Sequence, residues 1–193
     1  NNHQSGFQPR FSWTLGAHHL AFGGQVVSHR SRRWGELIWA AALPQETGPN
    51  HTWYDYQGRK LIVNGFLRDS WSVSDRFTAT ASLQLASIEY RILHDQRFNT
   101  EFSESYLFTM PSAGLSYQLF DPFRVWGSYS YVVREPRLKD HYWGETGYPV
   151  IRYDDPETFD GLQIDPERLH DIELGADWVR SNLALRANVY WME

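Results

Sequence analysis

A run of carboxylates between Glu135 and Asp165 is the first feature of this 193-residue sequence that could do chemistry. Eight acidic residues in that run stand against three basic ones, which gives it a formal charge of -5. Calcium takes about six to eight hard oxygen ligands, so a close group of such carboxylates could bind it. The spacing does not follow the EF-hand pattern, and a solvated acidic loop among counterions is the competing interpretation. The residues predicted to bind calcium are Asp154, Asp155, Glu157 and Asp160.

Residues for catalysis are not arranged in any recognisable pattern. His18 and His19 are adjacent, so on a strand their side chains point to opposite faces and cannot chelate one metal together. The sequence has no nucleophile elbow, Walker loop or dinucleotide fingerprint, and Gly23-Gly24 lies inside a strand pattern. We therefore expect no enzyme and no bound cofactor.

The overall composition excludes several classes of protein. The formal net charge is -5, which gives no basic excess for binding nucleic acid. There is no cysteine, so disulfide scaffolds and thiolate metal sites are excluded. The longest apolar run, 37–43, is far shorter than the roughly 20 residues of a membrane helix. Phe, Trp and Tyr together make 16% of the residues, which favours alternating strands.

Most of the chain alternates apolar and polar residues with period two, which is the pattern of β-strands. Asp69 interrupts one apolar column and is interpreted as a bulge or an interfacial residue. The stretch 34–43 is ambiguous between a strand extension and a short helix in a loop. The eight predicted strands are 11–15, 20–26, 61–73, 76–90, 107–119, 124–134, 167–178 and 183–193.

Short turns alternate with long loops along this meander. Strands of roughly ten to fifteen residues, with short turns at one end and long loops at the other, are typical of a transmembrane β-barrel wall, whose strands need about 9 to 11 residues to cross. Aromatic residues near the short turns would form its headgroup girdle. A soluble β-rich module that binds carbohydrate is the alternative, since a sandwich also alternates. The predicted girdle residues are Trp71, Phe77, Tyr117, Phe120, Phe123, Trp126 and Trp178.

The strand count also predicts the sidedness of the wall. If the short turns are periplasmic and the long loops external, both ends of this chain lie outside, whereas a complete barrel of this class has both termini in the periplasm. We therefore expect an internal piece of a larger barrel. A complete small barrel of eight strands is geometrically possible but conflicts with this sidedness.

Three segments resemble the barrel of TonB-dependent outer-membrane receptors. The run 64–83 is similar to a barrel hairpin in which an aspartate and a tryptophan precede a tight turn. The segments 111–117 and 126–136 look like paired strands that rise into a large external loop. Asp165-Pro166-Glu167, followed by Ile172-Glu173-Leu174-Gly175, resembles the late barrel. The resemblance covers roughly residues 60–193.

This resemblance implies an all-β antiparallel wall within a barrel of 22 strands that encloses a plug. It implies a bacterial outer-membrane location and TonB-coupled uptake of a scarce ligand, either a siderophore, a cofactor or a glycan. No plug, TonB box or closing strand is recognisable, so residues 1–193 are expected to form part of the barrel domain. The implied partners are the lipid bilayer, lipopolysaccharide, TonB and the ligand. Ligand residues expected in the external loops are Arg134, His141, Tyr142, Trp143 and Tyr148.

Overall fold

The computed structural model describes residues 2–41, 48, 50–99, 101–142, 153–155, 160–162 and 164–193. For residues 141, 153–155 and 160–162 it describes the backbone alone. The elements are β1 (Asn2–Phe7), β2 (Arg10–Leu15), β3 (His18–Leu37), β4 (His51–Ser74), β5 (Phe77–Leu93), β6 (Phe102–Phe120), β7 (Phe123–Arg134), α1 (Leu138–His141), β8 (Tyr153–Asp155), β9 (Asp160–Leu162), β10 (Glu167–Arg180) and β11 (Leu183–Met192).

A single antiparallel sheet contains every strand except the short β8–β9 pair. Its order is β1-β3-β4-β5-β6-β7-β10-β11, and β2 pairs with β3 below β1. Since β1 and β2 share one edge, the wall has eight strand positions, and the eight predicted strands are confirmed. The described sheet is open, with β1 and β2 at one edge and β11 at the other. Within the described ranges, no helix is long and apolar enough to cross a membrane.

The strands form because their two faces differ in polarity throughout, and the register keeps each face continuous. On what we call the apolar face, Leu67 lies opposite Phe22 on one side and Leu83 on the other. On the polar face the adjacent rung places Arg68 opposite Ser82, whose hydroxyl lies 2.6 Å from that of Ser112. A slip of one residue would exchange these faces, so the apolar column fixes the pairing.

The turn end of the sheet carries the short hairpins at 16–17, 75–76, 121–122 and 181–182. Gly16 has a φ of 57°, a left-handed conformation that suits glycine in the first of them. Phe120 and Phe123 stack with ring centroids 5.5 Å apart, and Trp178 lies 6.3 Å from each. These aromatic contacts agree with the predicted girdle.

Trp126 is an exception, because the structure places it on the polar face. It lies opposite Gly175, where an added Cβ would approach the indole ring to 2.4 Å. Its even position in β7 decides the face, so closeness to a turn was a misleading criterion for this residue.

Asp69 is not a bulge, because the register around it is regular and the shift in β4 falls between Ser72 and Ser74. Its carboxylate lies 2.7 Å from the Nδ1 atom of His18 on the same face. His19 instead contacts Thr14 on the opposite face, as the alternation predicted.

At the loop end the strands continue well beyond the apolar columns. Strand β4 has 24 residues, which corresponds to about 80 Å of extended chain, and it begins ten residues before the predicted strand. Strand β3 runs to Leu37, so the first part of the ambiguous stretch is a strand extension.

Candidate ligand site at the loop end

The segment that follows β7 folds back over the polar face of β4 and β5. Leu138, in the short helix α1, packs against two buried clusters. Tyr142 is buried among Tyr56, Ile92 and Phe102, and its ring meets that of Tyr56 edge to face at 5.2 Å. Its hydroxyl donates a hydrogen bond of 2.5 Å to Asp95. This packing fixes the return segment 135–142 against the wall.

A half-buried ion pair anchors the start of the same segment. The Nζ atom of Lys60 lies 2.6 Å from Oε1 of Glu135, and the Tyr90 hydroxyl donates to the same oxygen at 3.3 Å. The ammonium group also lies 4.8 Å from the centroid of the Tyr90 ring. We call these three residues the latch. The latch joins β4, β5 and the return segment, so it fixes the start of the return segment against these two strands.

The latch carries its charges despite partial burial. Burial raises the pKa of Glu135, but the hydrogen bond from Lys60 and the nearby charge outweigh it and lower that pKa below its usual value. Burial likewise works against the charged form of Lys60, but the bonds to Glu135 and Tyr90 raise its pKa overall. Lys60 is thus positively charged at neutral pH and forms its ion pair with Glu135.

A cavity of about 370 Å³ lies beside the latch, and we call it the basic cavity. Four Arg and Lys residues of the polar face and the return segment line it together with His29, and Glu135 is the one carboxylate among the described residues that line it. Arg59 also lines it, although the register of β4 assigns its side chain to the apolar-face side. The four cations are Arg33, Lys60, Arg134 and Arg137, and the cavity is completed by Ser31, Gly58, Tyr90 and Leu138.

The cations of the basic cavity differ in how firmly they are held. Arg137 forms a two-bond pair with Asp140, at 2.9 and 3.0 Å, and this pair caps α1. Arg134 contacts Glu167 at 3.5 Å, and both side chains are largely exposed, so this contact is weak. Arg134 is therefore the cation best placed to exchange its partner for a bound anion.

The residues predicted from sequence fall into four groups. Arg134 lines the basic cavity, whereas Tyr142 is buried below it and supports the return segment. For His141 the structure gives the backbone position alone, in α1. Trp143 and Tyr148 lie outside the described residues.

The predicted calcium ligands are described only in part. Asp155 lies opposite Asp160 in the β8–β9 pair, Asp154 precedes it in β8, and Glu157 lies outside the described residues. No group of three or more metal-binding side chains occurs in the part of the chain that the structure describes.

Sequence reasoning did not find Lys60, Arg33 or Arg137. Lys60 and Glu135 are 75 residues apart, and only the strand register and the fold of the return segment bring them together. One signal was available, since Lys60 immediately precedes the apolar column of β4 and has the phase of its polar face. No motif marks Arg33.

Comparison with known proteins agrees with this architecture. Residues 1–193 match the family model described as "TonB dependent receptor-like, beta-barrel". Similar solved structures include the ferric citrate transporter FecA, with a TM-score of 0.74 and 16% identity over 99% of this chain and 27% of that one. The ferric-catecholate import receptor Fiu from E. coli K12 gives 0.69 and 13%, over 98% of this chain and 31% of that one.

The copper transporter OprC gives a TM-score of 0.67 and 13% identity, with 98% of this chain and 29% of that one covered. No curated protein sequence matches this chain. At these identities the structural likeness concerns the fold. This chain spans about three tenths of the length of the structures it matches.

The continuous antiparallel wall, apolar on one face and polar on the other, is that of an outer-membrane β-barrel. More narrowly, this chain belongs to the TonB-dependent receptor-like β-barrel family, whose members are receptors and transporters. These proteins lie in the bacterial outer membrane, and barrels of that membrane turn an apolar face to lipid and a polar face to the lumen. The family match extends the resemblance seen in residues 60–193 to the whole chain.

Proposed function

We propose that this chain is part of the barrel wall of a TonB-coupled receptor that takes up an anionic metal chelate. The basic cavity carries this proposal, because it gathers Arg33, Lys60, Arg134 and Arg137 on the luminal side of the loop end. Charge-assisted hydrogen bonds from arginine to carboxylate or catecholate oxygens are strong and directional. The site lies at the external end of the lumen, where a ligand arrives before transport.

The ligands for which the similar proteins are named favour a chelate among the three ligand classes predicted from the sequence. Two of the proteins compared above are named for ferric citrate and ferric catecholates, and one for copper. Carboxylate and catecholate complexes of Fe³⁺ are commonly anionic, which suits a cavity lined by cations. Among the described residues that line the basic cavity, Tyr90 is the one with a phenol ring, whereas four carry a cationic side chain of the polar face or the return segment.

A binding and uptake experiment in the intact protein tests this proposal. The trianionic ferric tris-catecholate and a cationic ferric trihydroxamate are offered to the purified protein, and binding is followed by tryptophan fluorescence. We expect the anionic complex to bind and the cationic one to fail. Arg134→Gln should weaken binding of the anionic complex about tenfold, because one charge-assisted contact is lost.

Arg76→Gln is the matched control, since it removes the same charge at the turn end and should leave binding unchanged. Equal binding of both complexes, or equal loss in both variants, would overturn the assignment of the basic cavity. Coupling is tested separately: uptake of radioactive iron in cells without TonB should stop while binding persists. Uptake that continues in those cells would overturn the TonB dependence.

Two predictions from the sequence remain part of this proposal. Contacts with lipopolysaccharide are expected from the outer-membrane location. Calcium binding by Asp154, Asp155, Glu157 and Asp160 is testable by calcium titration of the intact protein with and without Asp155→Asn.

A further inference from the structure

Three arginines lie directly opposite one another on neighbouring strands of the apolar face. Arg30 of β3 pairs with Arg59 of β4, and Arg59 pairs with Arg91 of β5. Neighbouring strands are about 4.8 Å apart, so the outer two backbones are separated by roughly 10 Å. We call these residues the arginine rung. Like charges placed directly opposite on a sheet are unfavourable, so an anion bound at the rung would relieve this repulsion.

The protein itself supplies only part of that compensation. Glu89 forms an ion pair with Arg91 and also accepts a hydrogen bond from Ser103 at 3.4 Å. Arg30 and Arg59 are exposed, and no carboxylate among the described residues pairs with either of them. His3 of the edge strand β1 lies opposite Arg30 and adds no negative charge. The rung therefore presents two uncompensated guanidinium groups outward.

The arginine rung sits at the external boundary of the lipid-facing belt. Four residues before Arg30, Val26 pairs with Val63 in a rung that is still apolar. The intervening rung, with Ser28 opposite Leu61, is mixed. One rung beyond the arginines, Arg32 is already paired with Asp55 at 2.9 Å. The uncompensated charge is thus confined to the level where hydrocarbon gives way to headgroups.

We propose that the arginine rung binds the phosphate groups of a phosphorylated glycolipid in the outer leaflet. The planar guanidinium forms bidentate hydrogen bonds to phosphate, and two adjacent ones can hold one phosphate group between them. The lipid's acyl chains then lie along the apolar columns of β3 and β4, so polar and apolar contacts come from one ligand. This inference rests on the membrane location of the wall and not on the identity of the transported chelate.

Lipid binding to the intact protein in detergent tests the assignment. The probes are diphosphoryl lipid A, its dephosphorylated form and inorganic phosphate, and bound lipid is counted by native mass spectrometry. We expect diphosphoryl lipid A to bind at least about tenfold more tightly than the dephosphorylated form. The double variant Arg30→Gln/Arg59→Gln should lose this preference.

Arg76→Gln/Arg180→Gln is the matched control, because it removes two exposed charges at the turn end. It should keep the preference for the phosphorylated lipid. The proposal is overturned if both lipid forms bind equally, if the control loses as much as the rung variant, or if inorganic phosphate binds as tightly as the lipid. The single variant Arg30→Gln changes a rung residue that does not line the basic cavity, so it should keep chelate binding while it weakens the preference for the phosphorylated lipid.

Discussion

An arginine introduced at Leu83 should be costly, because Leu83 lies on the apolar face, which we expect to contact lipid, and near the middle of the expected membrane span. Leu83 lies six residues after Phe77, the first residue of β5. Six residues span about 20 Å of strand, or about 14 Å of depth at a tilt of 45°. The apolar belt is about 25 Å tall, so Leu83 is close to its midplane. Leu83→Arg should therefore cost about 2 to 4 kcal/mol of folding free energy.

Gln84→Arg is the matched comparison, since residue 84 is the next one along the same strand and has the phase of the polar face. We expect it to cost less than about 1 kcal/mol, because luminal positions tolerate charge. The assay is equilibrium denaturation of the intact protein in phospholipid bilayers, followed by tryptophan fluorescence. Equal costs for the two variants, or a negligible cost for Leu83→Arg, would refute the assignment of the two faces.

Three further predictions concern the polar face. Glu135→Gln should weaken closure of the return segment by about 1 to 3 kcal/mol, because it leaves Lys60 without its anionic partner. Since folding lowers the pKa of Glu135, its contribution is present above the unfolded pKa of 4.5 and is lost as the pH falls through the folded pKa; amide hydrogen exchange of α1 measures both effects. Tyr142→Phe should cost about 1 to 2 kcal/mol in the same measurement. Gly175→Ala should destabilise the wall by about 1 to 3 kcal/mol in the denaturation assay, because the new Cβ meets the ring of Trp126 at 2.4 Å.

Each of these predictions has a control with the same chemical change. Glu36→Gln and Tyr190→Phe alter exposed residues for which the structure shows no side-chain bond, so they should leave exchange in α1 unchanged. Gly65→Ala places its Cβ 3.6 Å from the nearest atom and should be nearly neutral. If a variant and its control change the free energy by the same amount, the contact removed by that variant does not have the role assigned to it. The pH dependence that survives in Glu135→Gln should be the part contributed by Asp140, because its hydrogen bond with Arg137 at the start of α1 lowers the pKa of Asp140.

The wall strands were predictable because their residues repeat with period two and charges avoid one face. The pattern of β5, from Phe77 to Leu85, determines both the strand and its lipid-facing side. The length by which the strands extend beyond their apolar columns was harder to predict from the sequence. Residues 51–60 of β4 are polar or aromatic on both faces, so no apolar column marks them. Trp126 shows the limit of arguing from position alone, because its phase decides its face.

The candidate site could be predicted only in its general location. Arg134 was identified because it ends a strand and opens a long loop. The latch depends on contacts between residues 60, 90 and 135, and no local pattern relates them. The arginine rung was hidden for the same reason, since Arg30, Arg59 and Arg91 become neighbours only through the register of three strands.

A spin-label scan along β5 tests the barrel wall most directly. The chain contains no cysteine, and single cysteines at Leu83, Gln84, Leu85 and Ala86, each introduced into intact protein from which any other cysteine has been replaced by serine, can carry a nitroxide in bilayers. Collision rates with oxygen and with a water-soluble nickel complex report whether each site faces lipid or water. We predict strict alternation, with 83 and 85 exposed to lipid and 84 and 86 shielded from it. Accessibility without a period of two, or four sites equally exposed to water, would contradict the wall.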